Sequence, residues 1–263
     1  MRRAFTLIEV VVAIGLLAMV LSFAGVIFRV SIDSHRTAIA NAEIMQKLRA
    51  ITDQLNADFR SVRYDCAGYI GFNTDISALG GNTLQVYSDS IAFFAAGDFQ
   101  STNQYSGDTI YGNVACIYYG QPDPNSYVRI PRPRDKILLR RQTILTADAP
   151  SSGAPDGEYY RTSLPQWHVS PPFADEDEWL KRPVIDPNNI EANLPMYVAK
   201  GVDNFTIEYA QWDPAGKIRW TRGQKTDAEE IRTRAFKFTF TLYDSRGVIR
   251  NGRTFTHIVY LTY

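Results

Sequence analysis

The chain has 263 residues, of which 45% are hydrophobic and 13% aromatic, so it carries enough apolar material for one sizeable folded domain. Its 28 Lys and Arg residues balance its 28 Asp and Glu residues. Zero net charge gives no sign of a bulk basic surface, and we therefore expect no nucleic-acid partner.

An apolar run fills residues 5–28, between Arg3 and Arg29. Roughly 20 apolar residues are enough to cross the hydrocarbon core of a bilayer as a helix, so the run predicts a single transmembrane helix. Arg2 and Arg3 precede the span, which favours a cytoplasmic amino terminus and export of the rest of the chain. A secretory signal peptide would have a shorter apolar core, whereas an ordinary single-pass anchor remains an alternative.

Glu9 is the one charged residue inside this run. An ionised carboxylate in the membrane costs on the order of 3 kcal/mol on insertion scales and normally has a partner. The short basic leader, the small residue Ala4 and the string Phe-Thr-Leu-Ile-Glu at 5–9 resemble the class III signal of type IV prepilins and type II secretion pseudopilins.

The resemblance implies a processing event and an assembly role. Residues 1–4 would be the leader, and a prepilin peptidase would cut between Ala4 and Phe5 and methylate the new amine of Phe5. Glu9 would then pair with the Phe5 amine of a neighbouring subunit, because neutralising each charge with the other lowers the cost of both in lipid. Most members of the family have Gly where this chain has Ala4.

An amphipathic stalk helix is predicted over residues 29–63. Its apolar residues recur at spacings of three and four, which places them in one stripe: Ile44, Leu48, Ile51, Leu55, Phe59 and Val62. We expect this stripe to pack on the chain's own sheet. The first half of the stalk, with Val30, Ile32 and Ile39, would contact neighbouring subunits. The two helical segments predict one continuous helix of about 60 residues, roughly 90 Å long.

After the stalk the pattern changes to alternating apolar and polar residues. Short strands are predicted at 84–94, 113–119 and 136–145, and clearer ones at 205–210, 236–243 and 254–263. Turns are predicted at 213–216 and 244–247. A long helix followed by antiparallel strands predicts an α+β, pilin-like fold with an exported domain over 64–263.

A Pro-rich segment at about 146–200 interrupts the strands. So long a connection is commonly functional or mobile. Its acidic run at 175–178 lacks the spaced ligands and turn glycine of a calcium loop, so we expect a solvated acidic loop there.

The two cysteines, Cys66 and Cys116, would lie in an oxidising periplasm, where a disulfide can form. The alternative is a pair of buried free thiols. The three histidines, His35, His168 and His257, fit no Ser-His-Asp or metal-ligand pattern, and the sequence holds no phosphate-binding loop. We therefore predict no enzyme activity, no metal and no cofactor, and expect His257 to be a structural residue of a sheet face.

Four loose strings, one at the end of the stalk at 55–60 and three in the exported domain at 89–94, 136–141 and 201–209, make the chain similar to the J-type minor pseudopilin of type II secretion. The resemblance implies a subunit of the pseudopilus tip that supports protein export across the outer membrane. Its partners would be other minor and major pseudopilins and an inner-membrane assembly platform. Two alternatives stay open: a minor type IV pilin for adhesion, motility or DNA uptake, and an anchored protein that binds cargo through the Pro-rich segment.

Overall fold

The computed structural model describes residues 6–63, 69–102, 109–146, 159–161, 182–185, 196–212, 216–222 and 233–261. One helix, α1, runs unbroken from Leu7 to Phe59. The prediction of a single continuous helix is therefore confirmed, with a length of about 80 Å at 1.5 Å per residue. The helix ends before Val62, the last residue of the predicted stripe, which instead forms a β-bridge with Ala95.

The strands, in chain order, are β1 (Tyr69–Gly71), β2 (Thr74–Leu79), β3 (Asn82–Tyr87), β4 (Ser90–Thr102), β5 (Thr109–Gly120), β6 (Ile137–Thr146), β7 (Tyr159–Arg161), β8 (Tyr197–Lys200), β9 (Val202–Trp212), β10 (Ile218–Thr221), β11 (Ala235–Leu242) and β12 (Arg253–Tyr260). Within the described residues they form three sheets. The first has the order β1-β4-β5-β6-β7 with β8 also paired to β6, the second is β10-β9-β11-β12, and the third is the hairpin β2-β3. The α+β, pilin-like fold class is confirmed.

A single core joins α1 to the first two sheets. The helix contributes one stripe, in which Ile44, Ile51, Leu55 and Phe59 are buried and Leu48 is partly buried. This is the stripe that the spacing of three and four predicts. Facing it are buried side chains of both sheets: Phe93, Ile117 and Leu138 of the first, and Phe205, Ile207, Phe236, Phe238 and Phe240 of the second.

Phe59 is the residue at which the helix and the two sheets meet. Its ring centroid lies 4.3 Å from that of Phe93 in the first sheet. The rings of Phe236 and Phe238 in the second sheet lie 5.4 and 5.6 Å away. Aromatic rings at these separations attract one another in addition to burying area, so the end of α1 holds the two sheets together.

The predicted strand at 84–94 is wrong as one element, because the chain turns a corner at Ser88 and Asp89. The Asp89 side chain is fully buried and accepts hydrogen bonds from the backbone N–H groups of Asn73 and Ile207. Its own N–H donates to the carbonyl of Phe205 at 2.9 Å. A buried polar corner therefore interrupts a stretch whose composition is that of a strand.

The Pro-rich segment also departs from its predicted bounds. Its last residues, 197–200, form β8, which pairs antiparallel with β6, and residues 159–161 form β7, which pairs parallel with β6. The acidic run at 175–178 lies outside the described residues. The turn at 244–247 is confirmed, with Gly247 at φ 70° and its N–H directed to the Asp244 carbonyl, whereas the turn at 213–216 is described only at Gly216.

Replacing Phe59 with Ala should destabilise the exported domain by about 3–5 kcal/mol, because a fully packed aromatic residue is lost from the junction of three elements. The control is Met45→Ala on the same helix, whose side chain is exposed and whose removal should cost about 0.5 kcal/mol or less. Denaturant unfolding of the full chain in detergent micelles measures both. Equal stability of the two variants would show that the core does not depend on this junction.

Candidate assembly surface on the N-terminal helix

The first half of α1 is bare in the isolated chain. Within the described residues one helix is long and apolar enough to cross a membrane, and none of its most apolar window, with mean hydropathy 2.8, is buried by the rest of the chain. Outward-facing side chains include Leu7, Val12, Leu17 and Phe23. An apolar surface on every side of a helix is what a surrounding lipid phase requires, which supports a single-pass membrane anchor.

Thr6 and Glu9 form a capping box at the start of this helix. The Thr6 N–H and Oγ1 each donate to Glu9 Oε2 at 2.9 Å, and the Glu9 N–H is directed to Thr6 Oγ1 at 3.4 Å. In the isolated chain the carboxylate thus has local partners. Ala4 and Phe5 lie outside the described residues, so the cleavage site and the pairing of Glu9 with the Phe5 amine stay predictions.

Beyond the apolar run, the helix remains uncovered for a further 11 residues, 29–39, which we call the bare stalk. Val30 is 63% exposed, Ile32 51% and Ile39 39%. Ala40 and Ile44 are the first buried residues of α1. The stalk half that was predicted to contact neighbouring subunits is therefore the part that the chain's own domain leaves free.

Polar contacts fix the helix to the domain where the bare stalk ends. Glu43 accepts hydrogen bonds from the N–H and Oγ of Ser245 at 2.9 and 3.0 Å. Lys47 Nζ lies 2.7 Å from Glu43 Oε1 and donates to the Tyr243 carbonyl at 2.8 Å. Burial alone would raise the pKa of Glu43, but the hydrogen bonds from Lys47 and Ser245 outweigh it and lower the pKa. The loop after β11 is thereby held on the helix.

A second polar attachment lies near the carboxyl end of α1. Arg140 of β6 donates to both oxygens of Asp58, with Nε–Oδ2 2.7 Å and Nη2–Oδ1 2.8 Å. The hydroxyl of the buried Tyr119 also donates to Asp58. Burial, followed by the Asp58 charge, raises the pKa of Tyr119, so the phenol stays protonated. Breaking such a buried pair leaves a charge without a partner, which is strongly destabilising.

Two further buried ion pairs belong to the scaffold. Lys136 Nζ lies 2.9 Å from Asp203 Oδ1 as an ion contact, with both side chains almost fully buried. Asp89 receives a two-pronged contact from Arg222, whose guanidinium carbon lies 4.0 Å from the ring centroid of Tyr87. Asp89 and Arg222 fix the corner before β4, and Lys136 and Asp203 fix the start of β9. We therefore assign these four residues a structural role.

Sequence reasoning named the strings that contain these charges but did not recognise the charges themselves. Asp58, Asp89, Lys136, Arg140 and Asp203 each fall in one of the four strings at 55–60, 89–94, 136–141 and 201–209. For Asp58 the available signal was a charged residue between the apolar neighbours Ala57 and Phe59 in a predicted helix, whereas Asp89 has Ser on both sides and gives no such signal. The partner of each charged residue could not be predicted from local sequence, since 82 residues separate Asp58 from Arg140.

Among the residues that the structure describes, the histidines and cysteines form no reactive centre. His257 Nε2 lies 3.0 Å from Asn56 Oδ1, and burial lowers its pKa. Cys116 is a buried free thiol in this structure, with its pKa raised to about 12 by burial. Cys66 and His168 lie outside the described residues, so the Cys66–Cys116 bridge stays a prediction. No cluster of three or more metal-ligating side chains occurs in the part of the chain that the structure describes.

A bare apolar helix that continues into a β-rich domain is the architecture of type IV pilin-like proteins. Comparison with known families agrees: the Prokaryotic N-terminal methylation motif matches residues 1–25. No curated protein and no solved structure matches the chain. The chain therefore carries a prepilin-type signal on a pilin-like fold.

Replacing Glu9 with Gln distinguishes the two roles of this side chain, capping of the helix and pairing with a charged amine. Gln at this position can still receive the Thr6 hydrogen bonds of a capping box, so membrane insertion and the start of the helix should be retained. The charge available to the Phe5 amine is lost, and incorporation into filaments should fall at least tenfold, the equivalent of about 1.4 kcal/mol. Immunoblots of filaments isolated from opened cells, compared with the membrane level of the protein, measure this.

The matched control is Thr6→Val, which removes the cap but keeps the Glu9 charge. Its first helical turn should loosen while filament incorporation stays near that of wild type. Normal assembly of Glu9→Gln, or equal loss in both variants, would rule out an intersubunit charge pair.

The predicted Cys66–Cys116 disulfide would contribute roughly 4 kcal/mol by closing a loop of about 50 residues. Since burial of Cys116 protects a free thiol in the folded chain, labelling must be done after denaturation without reductant. We expect no labelled cysteine in protein exported by the cell, and one in Cys116→Ser. Two labelled cysteines in the unaltered chain would establish the free-thiol alternative.

Proposed function

We propose that the protein is a minor pseudopilin, a structural subunit of the pseudopilus tip of a type II secretion system. In this role it supports protein export across the outer membrane and has no catalytic activity of its own. The observation that carries the proposal is the prepilin-type signal at residues 1–25 on a helix whose first half is left exposed by the described part of the exported domain.

The bare stalk supports an assembly role because it lies beyond the bilayer, so its exposed apolar side chains are not covered by lipid. Residues 7–28 already supply about 33 Å of helix, enough for a hydrocarbon core of about 30 Å. Val30, Ile32 and Ile39 follow that span and are exposed. Apolar side chains grouped on one exposed element mark an interaction site, and neighbouring subunit helices offer a matching apolar surface.

The proposed partners follow from the two parts of α1. The bare stalk contacts other minor and major pseudopilins, and Glu9 neutralises the Phe5 amine of a neighbour inside the bundle of anchors. A prepilin peptidase processes the chain at Ala4 and Phe5, and an inner-membrane assembly platform moves it into the filament. The anchor lies in the inner membrane with the exported domain in the periplasm.

The J-type assignment is supported by the four strings, one at the end of α1 and three in the exported domain. Each contributes at least one charged residue to a buried ion pair, as Asp58 and Arg140 do. The charged residues that form these ion pairs therefore stabilise the fold and are not exposed surface residues. Among the described strands β12 pairs only with β11, so its outer edge offers a further place where a partner strand can add.

Charges placed on one face of the bare stalk should weaken assembly. Ile32 and Ile39 are seven residues apart and so lie within about 20° of one another around the helix. Ile32→Asp with Ile39→Asp should lower recovery of partner subunits at least tenfold, because an aspartate would have to be buried at the contact. The control is Ser34→Asp, an exposed polar position on the same segment and a different face, which should have a small effect.

Photocrosslinking of the full chain at position 39 in cell membranes, followed by mass spectrometry, names the partners. Crosslinks to minor pseudopilins that disappear in the double variant and persist in Ser34→Asp support the proposal. Crosslinks to components of a surface pilus would replace it with the minor type IV pilin alternative. Unchanged crosslinks in the double variant would show that this face is not the contact.

A further inference from the structure

Two of the described loops, residues 121–136 and 243–252, lie at the end of the exported domain that faces the bare stalk. The second is held on α1 by Glu43 and Lys47, just after the bare stalk. The first lies against it, since a Cβ placed on Gly247 would be 2.8 Å from Nη1 of Arg134. Both loops therefore lie at the end of the domain from which the anchor emerges.

Five arginines belong to these loops, and together they are called the basic rim: Arg129, Arg132, Arg134, Arg246 and Arg250. Four are exposed and Arg134 is partly exposed. None of the five forms an ion pair with another described residue. No described acidic side chain therefore neutralises them, although the chain as a whole has zero net charge.

The acidic residues of the same loops are already engaged. Asp244 is fully buried and accepts the N–H groups of Val248 and Ile249 at 2.8 and 2.9 Å. Asp123 accepts the N–H of Asn125 at 2.7 Å. Asp135 lies 4.0 Å from Lys200. The acidic side chains thus serve loop structure while the arginines face outward.

Exposed apolar residues alternate with the arginines of the rim. Val128 is 93% exposed and Ile130 46%, one on each side of Arg129. Val248 lies between Arg246 and Arg250 and is 36% exposed. Apolar side chains beside Lys or Arg characterise surfaces that lie in a membrane interface, where the aliphatic groups enter the acyl boundary and the cations meet anionic headgroups.

The anchor keeps this rim close to the bilayer. From Phe28 to Glu43 the helix rises about 22 Å at 1.5 Å per residue. The headgroup layer takes up roughly 5–8 Å of that distance, and an ordinary helix tilt of about 20° brings one side of the domain lower. Because the rim is tethered to the membrane, its encounter with the headgroups is intramolecular, and weak individual contacts are enough.

We propose that the basic rim docks on anionic phospholipid headgroups of the membrane in which α1 is anchored. The five arginines bind the headgroups, and Val128 and Ile130 enter the interface. Docking tilts the domain toward the bilayer and is released when the subunit leaves the membrane for a filament. The inference needs α1 as an anchor but does not need any partner subunit.

Hydrogen exchange of the full chain in nanodiscs tests the docking. The backbone N–H groups of residues 128–130 have no hydrogen-bond partner among the described residues, so they exchange fast in an undocked domain. In discs of phosphatidylcholine with phosphatidylglycerol we expect exchange to slow at least fivefold relative to phosphatidylcholine alone. High salt should remove the difference, since it screens the attraction.

Charge-reversal variants identify the groups responsible. An arginine near an anionic surface contributes about 1 kcal/mol, so each reversal should reduce protection about fivefold or more. Arg129→Glu with Arg246→Glu should abolish it. The control is Arg219→Glu, an exposed arginine of β10 paired with Gln211 at the other end of the second sheet, which should leave protection unchanged.

Three results would overturn the proposal. Equal protection in neutral and anionic discs would exclude headgroup charge as the cause. Protection that survives the double reversal would exclude the rim. Protection that appears only when a partner subunit is added, regardless of lipid charge, would make the rim a protein interface. Each of these leaves the proposed assembly role of the bare stalk untouched, because that role is tested by crosslinks at position 39.

Discussion

The packing of the last turns of α1 between two sheets is the interaction on which the rest of the structure depends. Phe59 touches Phe93 on one side and Phe236 and Phe238 on the other. Without this helix end, each sheet would expose an apolar face to water. Its burial fixes the direction of α1, and therefore fixes where the bare stalk and the anchor leave the domain.

The same helix meets two different environments because its sequence changes character along its length. In residues 7–28 apolar side chains surround the axis, as a lipid phase demands. From Ile44 onward they form one stripe, as a protein core demands. The bare stalk between them fits neither environment fully, since it has exposed apolar side chains beside Arg29, Asp33 and Arg36. Such a surface is suited to contacts that are made and broken.

Much of this organisation follows from local sequence pattern. The stripe from Ile44 to Phe59 and the alternation of Phe236, Phe238 and Phe240 each place one set of side chains on one face, and the structure buries them. These patterns concern neighbours in sequence, so spacing alone predicts them. The capping box of Thr6 and Glu9 also joins residues only three positions apart, but Glu9 stands out in the sequence as a charge in the membrane span and not as a capping residue.

The features that sequence did not predict depend on distant partners. The corner at Asp89 exists because that carboxylate meets Ile207 and Arg222, 118 and 133 residues further on. The stretch at 84–94 has the composition of a strand, and nothing local indicates the break. The basic rim is also assembled from two separate loops, brought together where Arg134 meets Gly247. Its charge is hidden in the balanced total of 28 and 28.

The capping box also bears on how readily the proposed assembly can be reversed. In the isolated chain the Glu9 carboxylate already accepts two hydrogen bonds from Thr6, so it does not enter the membrane without partners. Pairing with the Phe5 amine of a neighbour would replace or supplement these hydrogen bonds. The net free energy of pairing is the difference between the state bonded to Thr6 and the state paired with the amine, and it is smaller than the full strength of an ion pair in lipid. In the proposed assembly, a small difference per subunit would let subunits be added and removed, whereas an unsatisfied carboxylate would bind its partner almost irreversibly. The local hydrogen bonds of Glu9 are therefore compatible with its proposed intersubunit role, in which the pair would set subunit register without making the contact irreversible.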